Sequence, residues 1–167
     1  MDARKIVDPS RLDKGPSSSG CKTKEIVAIE VTDERVSDGS KFNSIIDQAE
    51  ENLSGRKIKE ALGDGAYDRR EIFDHLQQKG IEPVIKIRSN ANTKERGSPG
   101  RARAVREFKD LGYQSWKEKY HYGRRWAAES VFSAVKRISG EHVRATKTEN
   151  MMQEVVLKFA FYNLMIH

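Results

Sequence analysis

Residues 58–87 read IKEALGDGAYDRREIFDHLQQKGIEPVIKI, and the order of patterns in this stretch decides the fold. A short strand, roughly Ile58 to Gly63, leads into Asp64-Gly65-Ala66-Tyr67. Asp68 to Lys79 then reads as a helix. Asp68 with Glu71 three residues on is a capping arrangement, Ile72, Phe73 and Leu76 line one face, and Gly80 ends it. Ile81-Glu82-Pro83-Val84-Ile85-Lys86-Ile87 is the next strand, with Pro83 favouring an edge or first-residue position.

Toward the N-terminus the same alternation continues. Glu25 to Thr32 is a near-continuous β-branched run that suits a strand. Asp38-Gly39-Ser40 has helix-start chemistry, Phe42, Ile45, Ile46, Ala49 and Leu53 recur at helical spacing, and Gly55 closes that helix. Strand, helix, strand, helix, strand predicts an α/β layer architecture. Residues 1–21 form a separate segment, expected to be poorly ordered or non-native. Lys14 to Gly20 has linker composition, and Lys5-Ile6-Val7 would be at most an isolated strand. Residues 22–167 are expected to form one domain.

Toward the C-terminus, residues 89–118 are polar, Arg-rich and punctuated by Gly and Pro, and the expectation is an insert of doubtful order. A helix from about Tyr122 to Ser139 follows. A last helix starts at the Thr146-x-x-Glu149 capping box and carries Met152, Val155, Val156, Phe159 and Ala160 on one face.

Composition excludes several function classes. No apolar run is long enough to cross a bilayer, and the first residues lack the apolar core of a signal peptide. One cysteine, Cys21, forms no internal disulfide and no zinc site. His75, His121, His142 and His167 have no metal-ligand spacing. A soluble intracellular setting is expected. The net charge of +6 is unevenly spread: residues 86–147 hold 16 Lys/Arg against 6 Asp/Glu, whereas residues 1–85 hold 14 against 17. Basic residues concentrated in this way are the footprint expected for a phosphate backbone, with a solvated basic loop as the plain alternative.

The helix expected at 122–139 carries the sharpest signal. Tyr122, Arg125, Glu129 and Lys136 fall at roughly 0°, 300°, 340° and 320° around its axis. Ala127, Ala128, Val131, Val135 and Ile138 occupy the far side. One face is buried and the other presents a carboxylate amid cations, ready to ligate a metal or meet phosphates. Bare amphipathicity alone would make this an ordinary surface helix with an Arg125–Glu129 pair four residues apart.

Tyr-x2-Arg-x3-Glu-x6-Lys resembles the signature around the third acidic residue of DDE transposases from bacterial and archaeal insertion sequences. Four residue types at fixed offsets arise by chance at about 10⁻⁵ per starting position, so the match is specific. Arg124 to Ser133, Gly63 to Asp68 and Glu30 to Glu34 extend the likeness, which covers about residues 22–166.

The resemblance implies an RNase H-like fold, a mixed sheet flanked by helices, here expected to lack the first one or two strands. It implies DNA-mediated transposition by metal-dependent phosphodiester cleavage and strand transfer on double-stranded DNA, at transposon ends and target. Asp64 corresponds to the second acidic residue and Glu129 to the third, meeting at a common pocket for Mg²⁺ or Mn²⁺. Tyr122, Arg124, Arg125 and Lys136 would contact DNA, and Trp126 would either stack on an unpaired base or pack. A prokaryotic, cytoplasmic, nucleoid-associated protein with no membrane role is expected, with a homodimer to be considered.

The family's first acidic residue has no good counterpart. Asp8 is the one candidate, after Lys5-Ile6-Val7, so a truncated remnant with weak or absent strand transfer and retained DNA binding is expected. The alternative is a non-catalytic DNA-binding protein using residues 86–147. A structured RNA-binding protein ranks below both.

Overall fold

The computed structural model describes residues 2–6, 24–32, 38–53, 55–93 and 97–166. The candidate ligand Asp8, the linker at 14–20 and Cys21 lie outside them. The chain divides into two compact units, one of residues 58–125 and the other of 1–57 with 126–167.

The continuous unit contains the strand–helix–strand expected from its sequence. Strand β3 (Glu60–Gly63) pairs in parallel with β4 (Glu82–Ile85), Glu60 opposite Glu82 and Gly63 opposite Ile85. Between them lie a 3-10 turn at Gly65–Tyr67 and helix α2 (Arg70–Gln78). Ile72, Phe73 and Leu76 are fully buried, as their spacing predicts. Gly80, at φ +69°, ends α2: the Ile81 amide reaches back 2.9 Å to the Leu76 carbonyl.

Two expectations in this unit are corrected. Asp68 does not cap α2. The N-cap position is Arg69, without a side-chain cap bond, and Asp68 is instead buried and paired with Arg101. The segment expected to be a loose insert is mostly helix α3 (Pro99–Lys119). Pro99 supplies a preset first-turn φ, and Ala102, Val105 and Trp116 are buried despite the surrounding charges. Gly112, at φ +72° and ψ 163°, breaks the helix. Trp116, Val84 and Tyr122 form a cluster against which Leu62, Phe108 and Tyr120 pack.

The other unit holds β1 (Asp2–Ile6), β2 (Ile29–Thr32), α1 (Asp38–Asn52), α4 (Trp126–Ser139) and α5 (Thr148–Ile166). β1 is not isolated: it pairs antiparallel with β2, with Ala3 opposite Val31 and an irregularity before Lys5. The strand expected over Glu25–Thr32 is ladder-bonded from Ile29 onward. Before it, side-chain amides take the place of a partner strand. Asn163 accepts from the Ile26 amide at 2.9 Å and donates to its carbonyl at 2.6 Å, and Asn52 donates to the Val27 carbonyl at 2.9 Å.

α1 buries Phe42, Ile45, Ile46 and Ala49 as its spacing predicts, and Gly55 follows at φ +89°. The main cluster joins Ile26, Val131 and Val135 to Val155, Phe159 and Tyr162. α5 begins at Thr148, and of the five residues expected on its apolar face only Val155 and Phe159 are buried. Among the described residues the strands form two two-stranded sheets, one antiparallel and one parallel, rather than a single mixed sheet.

Candidate functional site

Asp64 follows directly on β3. Its backbone is extended (φ −82°, ψ −176°), and its Oδ1 accepts the Ala66 amide at 2.8 Å, capping the 3-10 turn. The side chain is half-buried. The flanking glycines serve different ends. A Cβ on Gly63 would lie 3.0 Å from the Tyr67 ring, whereas one on Gly65 would make ordinary contacts at 3.7 Å. Neither glycine has a positive φ. Close approach of the Tyr67 ring, rather than turn geometry, is what calls for glycine before Asp64.

The turn after Asp64 is held by polar groups from two directions. Asp68 accepts the Arg101 Nε at 2.6 Å on one oxygen and the Arg88 amide at 3.0 Å on the other. The Arg88 side chain donates to the carbonyls of Gly65 at 2.6 Å and Ala66 at 3.3 Å. From the strand side, the Tyr122 hydroxyl donates to the Gly63 carbonyl at 3.0 Å. Sequence reading missed Arg88 and Arg101. Arg88 carries no local signal, and Asp68 looked like a helix cap.

The single helix expected from Tyr122 to Ser139 is two elements. Residues Tyr122–Arg125 form a 3-10 turn and the α-helix starts at Trp126. Tyr122 therefore does not share an exposed arc with Glu129 and Lys136; it is buried. Arg124 bonds Glu60 at 2.8 Å, the Tyr120 carbonyl at 2.9 Å and the His121 carbonyl at 3.0 Å. Arg125 is half-buried, its guanidinium 6.0 Å from the Tyr122 ring centre.

Glu129 and Lys136 stand two turns apart on α4 and are both exposed, opposite the buried Val131 and Val135. Ile138, expected on the buried side, is 44% exposed. Trp126 is 62% exposed, with the Lys24 ammonium 5.9 Å from its ring centre. Asp64 belongs to the continuous unit and Glu129 to the other. Among the described residues, no three His, Cys, Asp or Glu side chains are gathered to hold a metal.

The basic segment also shapes α3. A shallow cleft there is lined by Arg103, Arg106, Lys119, Glu107, Asp110 and Leu111. Burial alone would raise the Glu107 carboxyl. Hydrogen bonds from Lys119 and Tyr120 outweigh it and hold the group below its ordinary range. Burial and the neighbouring Glu107 push the Tyr120 phenol up. No described helix is long and apolar enough to cross a membrane.

The family model described as transposase DDE domain matches residues 20–164. No solved structure matches the chain.

Proposed function

The chain belongs to the transposase DDE domain family, and from that premise we propose that it is an RNase H-like catalytic domain that cleaves and joins DNA with Asp64 and Glu129 as ligands of a divalent cation. The observation that carries this reading is the setting of Asp64. It is a carboxylate at the C-terminal end of a strand, half-exposed, with one oxygen tied to the Ala66 amide. Its donor chemistry suits Mg²⁺ or Mn²⁺, which take hard oxygen ligands and keep waters and phosphate oxygens in the remaining positions. Glu129 offers a second such oxygen donor from the exposed face of α4.

When bound, the cation supplies Lewis-acid stabilisation of the phosphate and activation of the attacking oxygen. The chain's own contribution is to hold ligands and DNA. Asp64 is oriented by Ala66. Lys136, exposed on the same helix as Glu129, contacts a phosphate of the duplex. Arg125 flanks that helix from the preceding turn and adds a second cation.

The test is cleavage of a DNA duplex bearing candidate transposon ends, with and without Mg²⁺. Asp64→Asn and Glu129→Gln should each lower the metal-dependent rate by at least about 100-fold, in line with the weight of charge placed at the reacting phosphate, while duplex binding persists. Cleavage at the wild-type rate by either variant sinks the reading. A second reading, DNA binding without metal chemistry, is favoured by the cleft on α3 with Arg103, Arg106 and Lys119 on its walls. Salt-dependent duplex binding indifferent to Mg²⁺, with no cleavage by the wild type, would select it.

A further inference from the structure

We propose that Asp68, acting through Arg101 and Arg88, is the positioning device that fixes the carboxylate of Asp64; this rests on the reading of Asp64 as a cation ligand. The Asp68 side chain is 0% exposed and that of Arg101 6%. Both charges have therefore been withdrawn from water, at a cost that their mutual attraction roughly offsets and seldom exceeds. Apolar residues of similar volume would stabilise the unit as well, so stability alone does not account for an ion pair here. The geometry it enforces does.

The connections run unbroken from α3 to Asp64. Arg101 on α3 holds one Asp68 oxygen, and the other oxygen accepts the Arg88 amide just beyond β4. That places the Arg88 side chain over the turn, where it donates to the Gly65 and Ala66 carbonyls. The Gly65–Ala66 peptide is thereby gripped at its oxygen, the Gly65 carbonyl, by Arg88 Nε at 2.6 Å, while its N–H donates 2.8 Å to Asp64 Oδ1. Rotating that peptide would turn away the hydrogen bond that orients the carboxylate. Groups that orient a ligand through one intervening contact commonly change metal affinity by about 10–100-fold when removed.

The experiment uses the full chain and Mn²⁺ alone, with the free-ion electron paramagnetic resonance signal reporting binding. Asp64→Asn should abolish the binding seen in the wild type. Arg88→Met removes the two carbonyl contacts from an exposed side chain, leaving Asp68 and Arg101 in place. It should weaken Mn²⁺ binding about 10–100-fold with an unchanged circular dichroism spectrum. Asp68→Asn should do the same. In the Asp64→Asn background neither change should have any further effect on Mn²⁺.

Wild-type affinity in Arg88→Met overturns the proposal. So does an Asp68→Asn protein that melts earlier yet binds Mn²⁺ normally when folded. If Asp68→Asn does not fold, Arg88→Met decides. If Asp64→Asn itself binds like the wild type, the ligand reading fails first and the positioning role falls with it, an outcome visible in that variant alone.

Discussion

Tyr122 is buried, and its hydroxyl makes a buried bond of 3.0 Å to the Gly63 carbonyl, which also accepts the Lys86 amide. Removing that hydroxyl takes one of two bonds from Gly63 without opening a cavity. Tyr122→Phe should therefore cost about 1 kcal/mol in chemical denaturation and leave the salt dependence of DNA binding unchanged; a reduced salt slope would restore the phosphate-contact role that its spacing suggested. The residue type was legible in the sequence, but its direction was not. A tyrosine three residues before an arginine looks the same whether the backbone is α or 3-10, and the tighter winding of residues 122–125 turns this one inward. Glu154 shows the same dependence on fold at a second position. Its carboxylate accepts the Ala145 and Arg144 amides, which hold it below its ordinary value of 4.5. A carboxyl depressed in the native state stabilises above its unfolded value and loses that contribution as pH falls through the native one. Hydrogen exchange at Arg144 and Ala145 should accordingly accelerate as pH drops below about 4.5, after correction for intrinsic rates. Protection that stayed constant down to pH 2 would remove Glu154 as the anchor of that loop.

At the level of elements, α3 was the hardest to read and the most informative once seen. Nine of its 21 residues are charged, and Gly112 interrupts the spacing that would have joined Val105 to Trp116. By contrast α2 declares itself through three apolar residues on one face closed by a glycine. The φ of +72° with ψ of 163° at Gly112 lies in a region that side chains scarcely enter. Nothing lies within 4 Å of a Cβ placed there, so the penalty for alanine is purely conformational. Gly112→Ala should cost about 1–3 kcal/mol of stability, measured by denaturant titration. The same variant should disturb the Phe108–Trp116 edge contact, whose ring centres are 5.1 Å apart, and so shift tryptophan fluorescence. Unchanged stability would mean that the break relaxes into continuous helix at no cost.

On the scale of the whole chain, the order of elements was legible because apolar periodicity is local, while strand pairing was not. Nothing in Glu25–Thr32 announces that Asn163 and Asn52 will satisfy its first half, or that Ala3 will sit opposite Val31. Charge, being additive, was readable: residues 86–147 carry 16 basic against 6 acidic residues. Which of those cations meet DNA depends on what each already holds. Arg124 is tied to Glu60, both side chains under 20% exposed, and moving it to a phosphate would break that pair. Lys136 is exposed on the helix that carries Glu129. The plot of log binding constant against log salt for duplex DNA should therefore keep its slope in Arg124→Ala, with stability reduced instead. In Lys136→Ala the slope should fall by about 1, the loss of one phosphate contact. The opposite assignment, a shallower slope for Arg124→Ala and none for Lys136→Ala, would mean that the Glu60 pair opens on DNA and that the α4 face is turned away from it.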